Sequence, residues 1–132
     1  MIKTVIDTNV LVSALLSPES NPAKILSLLM NGRIHICYDS RILLEYEKVL
    51  LRPKFPFKAH DVNVLIDTVV QGGTAIVGEP ITIEFIDESD KKFYEVAKTA
   101  AAVLITGNKK HYPNEPCIVS PTAFLENNIK VQ

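Results

Sequence analysis

Val5 and Ile6 form a short β-branched run that stops at a carboxylate, Asp7, and from Asn9 the chain turns into the apolar stretch Val-Leu-Val-Ser-Ala-Leu-Leu. This is the pattern of a buried strand that delivers a charge to its carboxyl end, where a helix begins. In open α/β sheets that edge is where ligands bind. The strand constrains every later element of the chain. Some of them must cover both of its faces, and further acids matter most where they return to the same edge.

The rest of the chain keeps the alternation. A strand is predicted over residues 3–7 and a helix over 9–16. After the breakers Ser17-Pro18-Glu19-Ser20 a second helix runs to residue 30, with Asn21 as its cap and Pro22 in its first turn. A strand over 33–38 leads through the capping pair Asp39-Ser40 into a helix over 41–51. A helix over 62–70 follows. Two strand-like segments, 74–77 and 81–85, are split by Gly78-Glu79-Pro80. Asp87-Glu88-Ser89-Asp90 opens a helix reaching residue 101. A strand over 103–106, a polar loop over 109–116, a strand over 117–119 and a helix over 121–125 capped by Ser120 complete the chain. Strands alternating with helices imply right-handed crossovers and a mostly parallel sheet covered on both faces. The uninterrupted apolar runs Val5-Ile6 and Val103-Leu104-Ile105 suit strands buried on both sides.

At 132 residues the chain is expected to be one domain spanning 1–132, and 47% hydrophobic residues suffice to fill its core. The net charge of −1 makes no global case for a nucleic-acid binder, though it leaves room for local basic patches. Cys37 and Cys117 sit in apolar strand-like runs and read as buried thiols. Neither belongs to a close Cys/His cluster, so zinc is not indicated. No basic leader precedes an apolar run, and no run reaches the roughly 20 apolar residues of a membrane helix. The expectation is a soluble cytoplasmic protein with no membrane partner.

Asp7, with Thr8 and Asn9 beside it, reads on its own as a helix cap, but three capping-type residues in succession exceed what one cap needs. Glu45 lies at the edge of a helix face made by Ile42, Leu43, Tyr46, Val49 and Leu50, whereas Glu47 projects to solvent. Alone it would be a surface glutamate paired with Arg41 or Lys48. Asp87 and Asp90 begin a helix, as acids commonly do. Asp90, however, points near the face defined by Phe93, Val96, Ala97, Ala100 and Ala101. A lone carboxylate there would cost several kcal/mol, which a cation would offset. Asp87 is then the cap or an outer group. Asn108 follows Ile105-Thr106-Gly107 at another strand end. It reads as a turn residue or as a carbonyl donor, with the Thr106 hydroxyl nearby. Together Asp7, Glu45, Asp90 and Asn108 make a set of hard oxygen donors suited to Mg²⁺ or Mn²⁺.

With these motifs in order, the chain resembles the PIN domain family, metal-dependent ribonucleases of the VapC toxin type. The residues that carry the likeness are Val5-Ile6-Asp7-Thr8-Asn9, Glu45 in Ser40-Arg41-Ile42-Leu43-Leu44-Glu45, Asp87-Glu88-Ser89-Asp90, and Leu104-Ile105-Thr106-Gly107-Asn108. The resemblance implies a three-layer α/β/α sandwich. It implies metal ligation by Asp7, Asp90 and Glu45, with Asp87 secondary and Asn9 and Thr106 as supporting hydrogen-bonding groups. Where many members carry a fourth aspartate this chain has Asn108, which removes one charge and puts a second metal in question. The implied role is the toxin of a toxin–antitoxin pair, with RNA as substrate and an antitoxin peptide as partner.

For such a reaction Lys109, Lys110 and His111, directly after Asn108, and Arg41, Lys48 and Arg52, on the Glu45 helix, would contact phosphates. Lys54 and Lys58 extend that basic region. Two other readings remain. A phosphatase could use Asp7 as its nucleophile, but its usual second aspartate, two residues on, is Asn9 here. A non-catalytic RNA- or protein-binding module on the same fold would be consistent with Asn108. The apolar helix over 23–30 is a homodimer face or simply core.

Overall fold

In the computed structural model, which describes residues 1–128, β1 (Lys3–Ile6) lies in the middle of a five-stranded sheet. β2 (His35–Tyr38) flanks it on one side and β4 (Val103–Ile105) on the other. β3 (Thr74–Ala75) lies outside β2, and β5 (Ile118–Val119) lies outside β4. Every pairing is parallel. Residues 129–132, included in the single-domain expectation, lie outside the described residues. Thr4, Val5 and Ile6 have no exposed surface, as a strand covered on both faces requires.

Parallel neighbours need crossovers, and the helices supply them: α1 (Thr8–Leu16), α2 (Asn21–Met30), α3 (Ser40–Leu50), α4 (Ala59–Gly72), α5 (Lys91–Ala100) and α6 (Pro121–Asn127). α1 packs on α2 and α2 on α6, while α5 lies across β1, β2 and β4. The result is the expected α/β/α sandwich, with a sheet that is parallel throughout rather than mostly so. From β1 the chain winds outward through β2 to β3. It then returns to the far side of β1 for β4 and β5. The switch in winding direction falls between the carboxyl ends of β1 and β4, where such sheets open a crevice.

Several boundaries differ from the sequence-based expectation, each for a local reason. α2 is capped by Ser20, whose Oγ accepts the Ala23 N–H at 3.2 Å, not by Asn21. The Asn21 amide instead donates to Thr122 Oγ1 of α6 at 2.8 Å. The apolar face of α2 turns Ile25 and Leu29 into the core, so core packing accounts for those two residues. α4 runs longer at both ends than the predicted 62–70.

The strand expected at 81–85 does not form, and β3 keeps only two residues. The β-branched residues there suggest a ladder, but the backbone has no neighbouring strand to pair with along its length. Two N–H groups at and just before its start turn to α5 instead. Glu79 N–H reaches Thr99 Oγ1 at 2.9 Å, and Ile81 N–H reaches a Glu95 carboxylate oxygen at 3.0 Å. Gly78 permits the close approach, since a Cβ there would stand 3.2 Å from the Val96 backbone nitrogen. No helix among the described residues is long and apolar enough to cross a membrane.

Two backbone positions give a test of opposite signs. Ala101, after α5, is held at φ 53° and is exposed, so Ala101→Gly should stabilise the protein by about 1 kcal/mol. Gly73, after α4, has an ordinary φ but no room, since a Cβ would lie 2.6 Å from the Ile36 carbonyl oxygen. Gly73→Ala should destabilise by roughly 1–3 kcal/mol. Urea unfolding midpoints check both, and a rise for Gly73→Ala would contradict the packing described.

Candidate active site at the carboxyl edge of the sheet

Asp7 occupies the position that precedes α1, yet its side chain makes no capping hydrogen bond. Its Oδ2 instead accepts two hydroxyl protons, from Thr106 and from Tyr112, each at 2.8 Å. Sheet register brings Thr106 there. Ile6 pairs with Ile105, and Asp7 N–H donates to the Ile105 carbonyl at 2.9 Å, so the next residue of each strand meets across the crevice. Asp7 therefore makes no capping hydrogen bond of ordinary geometry, although the Asn9 N–H helps to lower its pKa, and its principal partners are the two hydroxyls. Asp7 is only 3% exposed. Asn9 Oδ1 accepts the Gly107 N–H at 3.0 Å, which ties the β4 exit to the start of α1.

Glu45 reaches the same edge from α3. The buried face of that helix is Ile42, Tyr46 and Leu50. The Tyr46 hydroxyl donates to the Ile6 carbonyl at the end of β1 and so fixes α3 against the strand. Glu45, one residue before Tyr46, accepts the Thr8 hydroxyl on Oε2 and pairs through Oε1 with Lys92 Nζ at 2.6 Å. Glu47 is exposed, as the helical spacing predicts.

Asp90 ends a 3₁₀ turn (Glu88–Asp90) that leads into α5. Its Oδ2 lies 3.1 Å from His111 Nδ1. Asp87 is a cap: it accepts the Ser89 N–H at 2.9 Å and the Ser89 hydroxyl at 2.7 Å. Those bonds hold its carboxyl below the ordinary carboxylate value.

Lys92 pairs with Glu45, but among the described residues Asp7 has no cationic partner and carries its charge into a buried, acidic edge. Burial raises the Asp7 pKa. The Tyr112 and Thr106 hydroxyls pull it back in part, and the Asp90 charge pushes it further up. Burial also raises Asp90, His111 opposes, and Asp87 and Glu45 add to the rise. The Tyr112 hydroxyl is raised by burial and by Asp7. Asp90 thus acts on Asp7, and Glu45 acts on Asp90. Even so, among the described residues no three His, Cys, Asp or Glu side chains converge closely enough to hold a metal as they stand. Thr8 and Lys92 engage both Glu45 oxygens, and His111 engages Asp90.

The other expected residues divide. Asn108 has an exposed side chain, and its N–H donates to Thr106 Oγ1 at 3.0 Å. Lys109 and Lys110 are exposed on a 3₁₀ turn (Lys109–His111) beside the edge. Lys48 is exposed on α3. Arg41 is committed elsewhere, paired with Asp39 at 2.6 Å and with the buried Glu95 at 2.8 Å. Sequence reasoning overlooked Tyr112 and Lys92 as members of the site, and it read Thr8 only as a cap. An aromatic residue inside the polar loop 109–116 was the one available hint of Tyr112. Nothing distinguished Lys92 from its neighbour Lys91.

The family model described as PIN domain matches residues 3–110. An uncharacterized protein of Methanocaldococcus jannaschii is 35% identical over 111 residues, which cover 82% of this chain and 72% of that protein. No solved structure matches.

The raised Asp7 pKa has a signed consequence. The folded state holds the Asp7 proton more tightly than the unfolded chain does, so stability declines as pH rises from the unfolded carboxylate value through the folded one. The loss then persists at neutral pH. Asp7→Asn, measured in chelator, should stabilise the protein at neutral pH by on the order of 1 kcal/mol, as relief of a strained functional site does. The gain should shrink in acid. A destabilised Asp7→Asn at neutral pH would contradict this electrostatic picture.

Proposed function

The chain belongs to the PIN domain family, and from that premise we propose that it is a metal-dependent endoribonuclease whose site is built from Asp7, Glu45 and Asp90. PIN domains are in general nucleases that act on RNA with divalent metals. The observation that carries the proposal for this chain is Asp7. It is a carboxylate buried at the switch point, unused as a cap, and pushed up in pKa by burial and by Asp90. A fold that needed only a cap would not hold a charge there.

The residues fit a hard divalent cation in chemistry. The donors are carboxylate oxygens, and two of the three are unfavourably charged in their present surroundings. Mg²⁺ or Mn²⁺ with one or two direct carboxylates and several waters matches this set better than a full protein cage does. Asp7 and Asp90 would hold the ion, and Glu45 would act through water. When bound, the ion neutralises the scissile phosphate and makes a bound water more acidic.

The chain's own groups do the rest. Thr106 and Tyr112 fix the orientation of Asp7 by holding one of its oxygens. His111 does the same for Asp90. Lys109 and Lys110 stand exposed beside the edge, where flanking phosphates of an RNA strand would run. Lys48 lies on the Glu45 helix and extends that contact. The net charge of −1 leaves the grip modest and salt-sensitive.

The finer role, a toxin restrained by an antitoxin peptide, rests on the motif likeness and on the acidity of this edge, which suits a basic side chain from a partner. A second reading, a catalytically silent RNA-binding module, draws on two observations: Lys92 is seated on Glu45, and the acids do not converge as they stand. Mn²⁺ titration separates the two readings, because the silent module binds no ion.

Asp7→Asn and Asp90→Asn should each reduce Mn²⁺-dependent cleavage of RNA by at least about 100-fold, the scale expected on losing a group that holds the catalytic ion. Gel assays of carefully purified, nuclease-free protein check this. Unchanged cleavage by Asp7→Asn would sink the assignment.

A further inference from the structure

Lys92 is placed unlike the other lysines of the chain. It sits in the first turn of α5, yet its side chain is only 12% exposed. Three contacts hold it. Its Nζ lies 2.6 Å from Glu45 Oε1, donates to the Ser89 carbonyl, and stands 5.1 Å from the centre of the Phe93 ring, which is fully buried. Its neighbour Lys91 makes only a loose pair, 3.9 Å from an exposed Glu88. Lysine is seldom buried unless paired, and here the partner is a member of the acidic site.

We propose that Lys92 is the second cation of the site: it holds Glu45 off the metal, and the chain binds a single divalent ion between Asp7 and Asp90. The inference rests on the reading that these acids hold such an ion. Charge balance supports it. Asp7, Glu45 and Asp90 contribute three negative charges, the Lys92 ammonium cancels one, and one divalent ion cancels the remaining two. Asp87, the other carboxylate that acts on Asp90, is exposed and held as a cap on Ser89, and position 108 is a neutral, exposed asparagine, so among the described residues no fourth buried carboxylate stands opposite to balance a second divalent ion. The contacts agree. Thr8 takes Glu45 Oε2 and Lys92 takes Oε1, so both oxygens are engaged while the lysine stays. Ser89 and Phe93 fix the ammonium in place beside Glu45. Lys92 is accordingly a positioning residue for Glu45.

The test uses the full chain stripped of metal and titrated with Mn²⁺, followed by electron paramagnetic resonance of the free ion and by calorimetry. The wild type should bind one Mn²⁺. Lys92→Met should bind a second, or bind the first about tenfold more tightly, because removing the ammonium frees Glu45 Oε1 and its charge for an ion. RNA cleavage should fall by about tenfold or more because Glu45 is no longer held in place. Lys92→Arg, which keeps the charge, should restore single-ion stoichiometry and most of the activity. A purely structural lysine would leave stoichiometry untouched. Circular dichroism establishes that each variant is folded, and Lys92→Gln serves if the Met variant is not. Two bound ions in the wild type, or a folded Lys92→Met with wild-type stoichiometry and affinity, overturns this inference and leaves the nuclease assignment standing. No Mn²⁺ binding by the wild type overturns both.

Discussion

The carboxylate of Asp7 is desolvated at the point where the sheet reverses its winding, and much of the surrounding structure answers to that fact. A buried charge is costly unless hydrogen bonds or countercharges compensate it. Here the compensation is two hydroxyls on one oxygen, while the neighbouring ionised group that bears on Asp7 is another carboxylate. Two neutral donors lower the cost without removing it. Each donor comes from a different part of the chain: Thr106 from the end of β4, and Tyr112 from the loop beyond it. The parallel pairing of β1 and β4, about a hundred residues apart in sequence, is therefore a condition for the site as well as for the core.

Tyr112 in turn depends on the irregular segment between β3 and α5. Phe85 meets Tyr112 edge-on at 5.8 Å between ring centres and lies 5.5 Å from Tyr94. The segment is held down by Glu95, which is 5% exposed and takes both the Ile81 N–H and the Arg41 guanidinium. Arg41 also closes on Asp39, whose other oxygen caps α3 by accepting the Ile42 N–H. One ion-paired group thus joins the start of α3, the middle of α5 and the segment that supports Tyr112. Because the group includes a nearly buried charge, removing either Arg41 or Glu95 would leave the other partner uncompensated. The arginine's part in the site is to keep its walls together.

What was legible in the sequence is what local physics decides. Asp7 was legible because a strand period and a helix period meet at it. The 3.6-residue repeat singles out Glu45 over Glu47 by placing it at the edge of the face that holds Tyr46, and the structure orients the two acids as that repeat requires. The parallel sheet followed from the alternation of elements. Lys92 and Tyr112 were not legible, because their roles depend on how α5 packs near α3 and on where a loop returns, which no local repeat encodes. The 81–85 segment misled for the converse reason. Its β-branched residues fit a strand, but strand formation needs a partner, and the Glu79 and Ile81 N–H groups at and just before its start find α5 side chains instead.

Asn108 serves the site through its backbone rather than its side chain. The group this position gives to the neighbourhood of Asp7 is its backbone N–H, which donates to Thr106 Oγ1. A threonine hydroxyl that accepts there has its one proton left to donate, and it gives that proton to Asp7 Oδ2. The peptide geometry at 108 therefore sets the direction of the Thr106 hydroxyl whatever side chain the residue carries. Its exposed side chain is a neutral amide. It leaves untouched the relay from backbone to threonine to Asp7 on which the buried carboxylate depends.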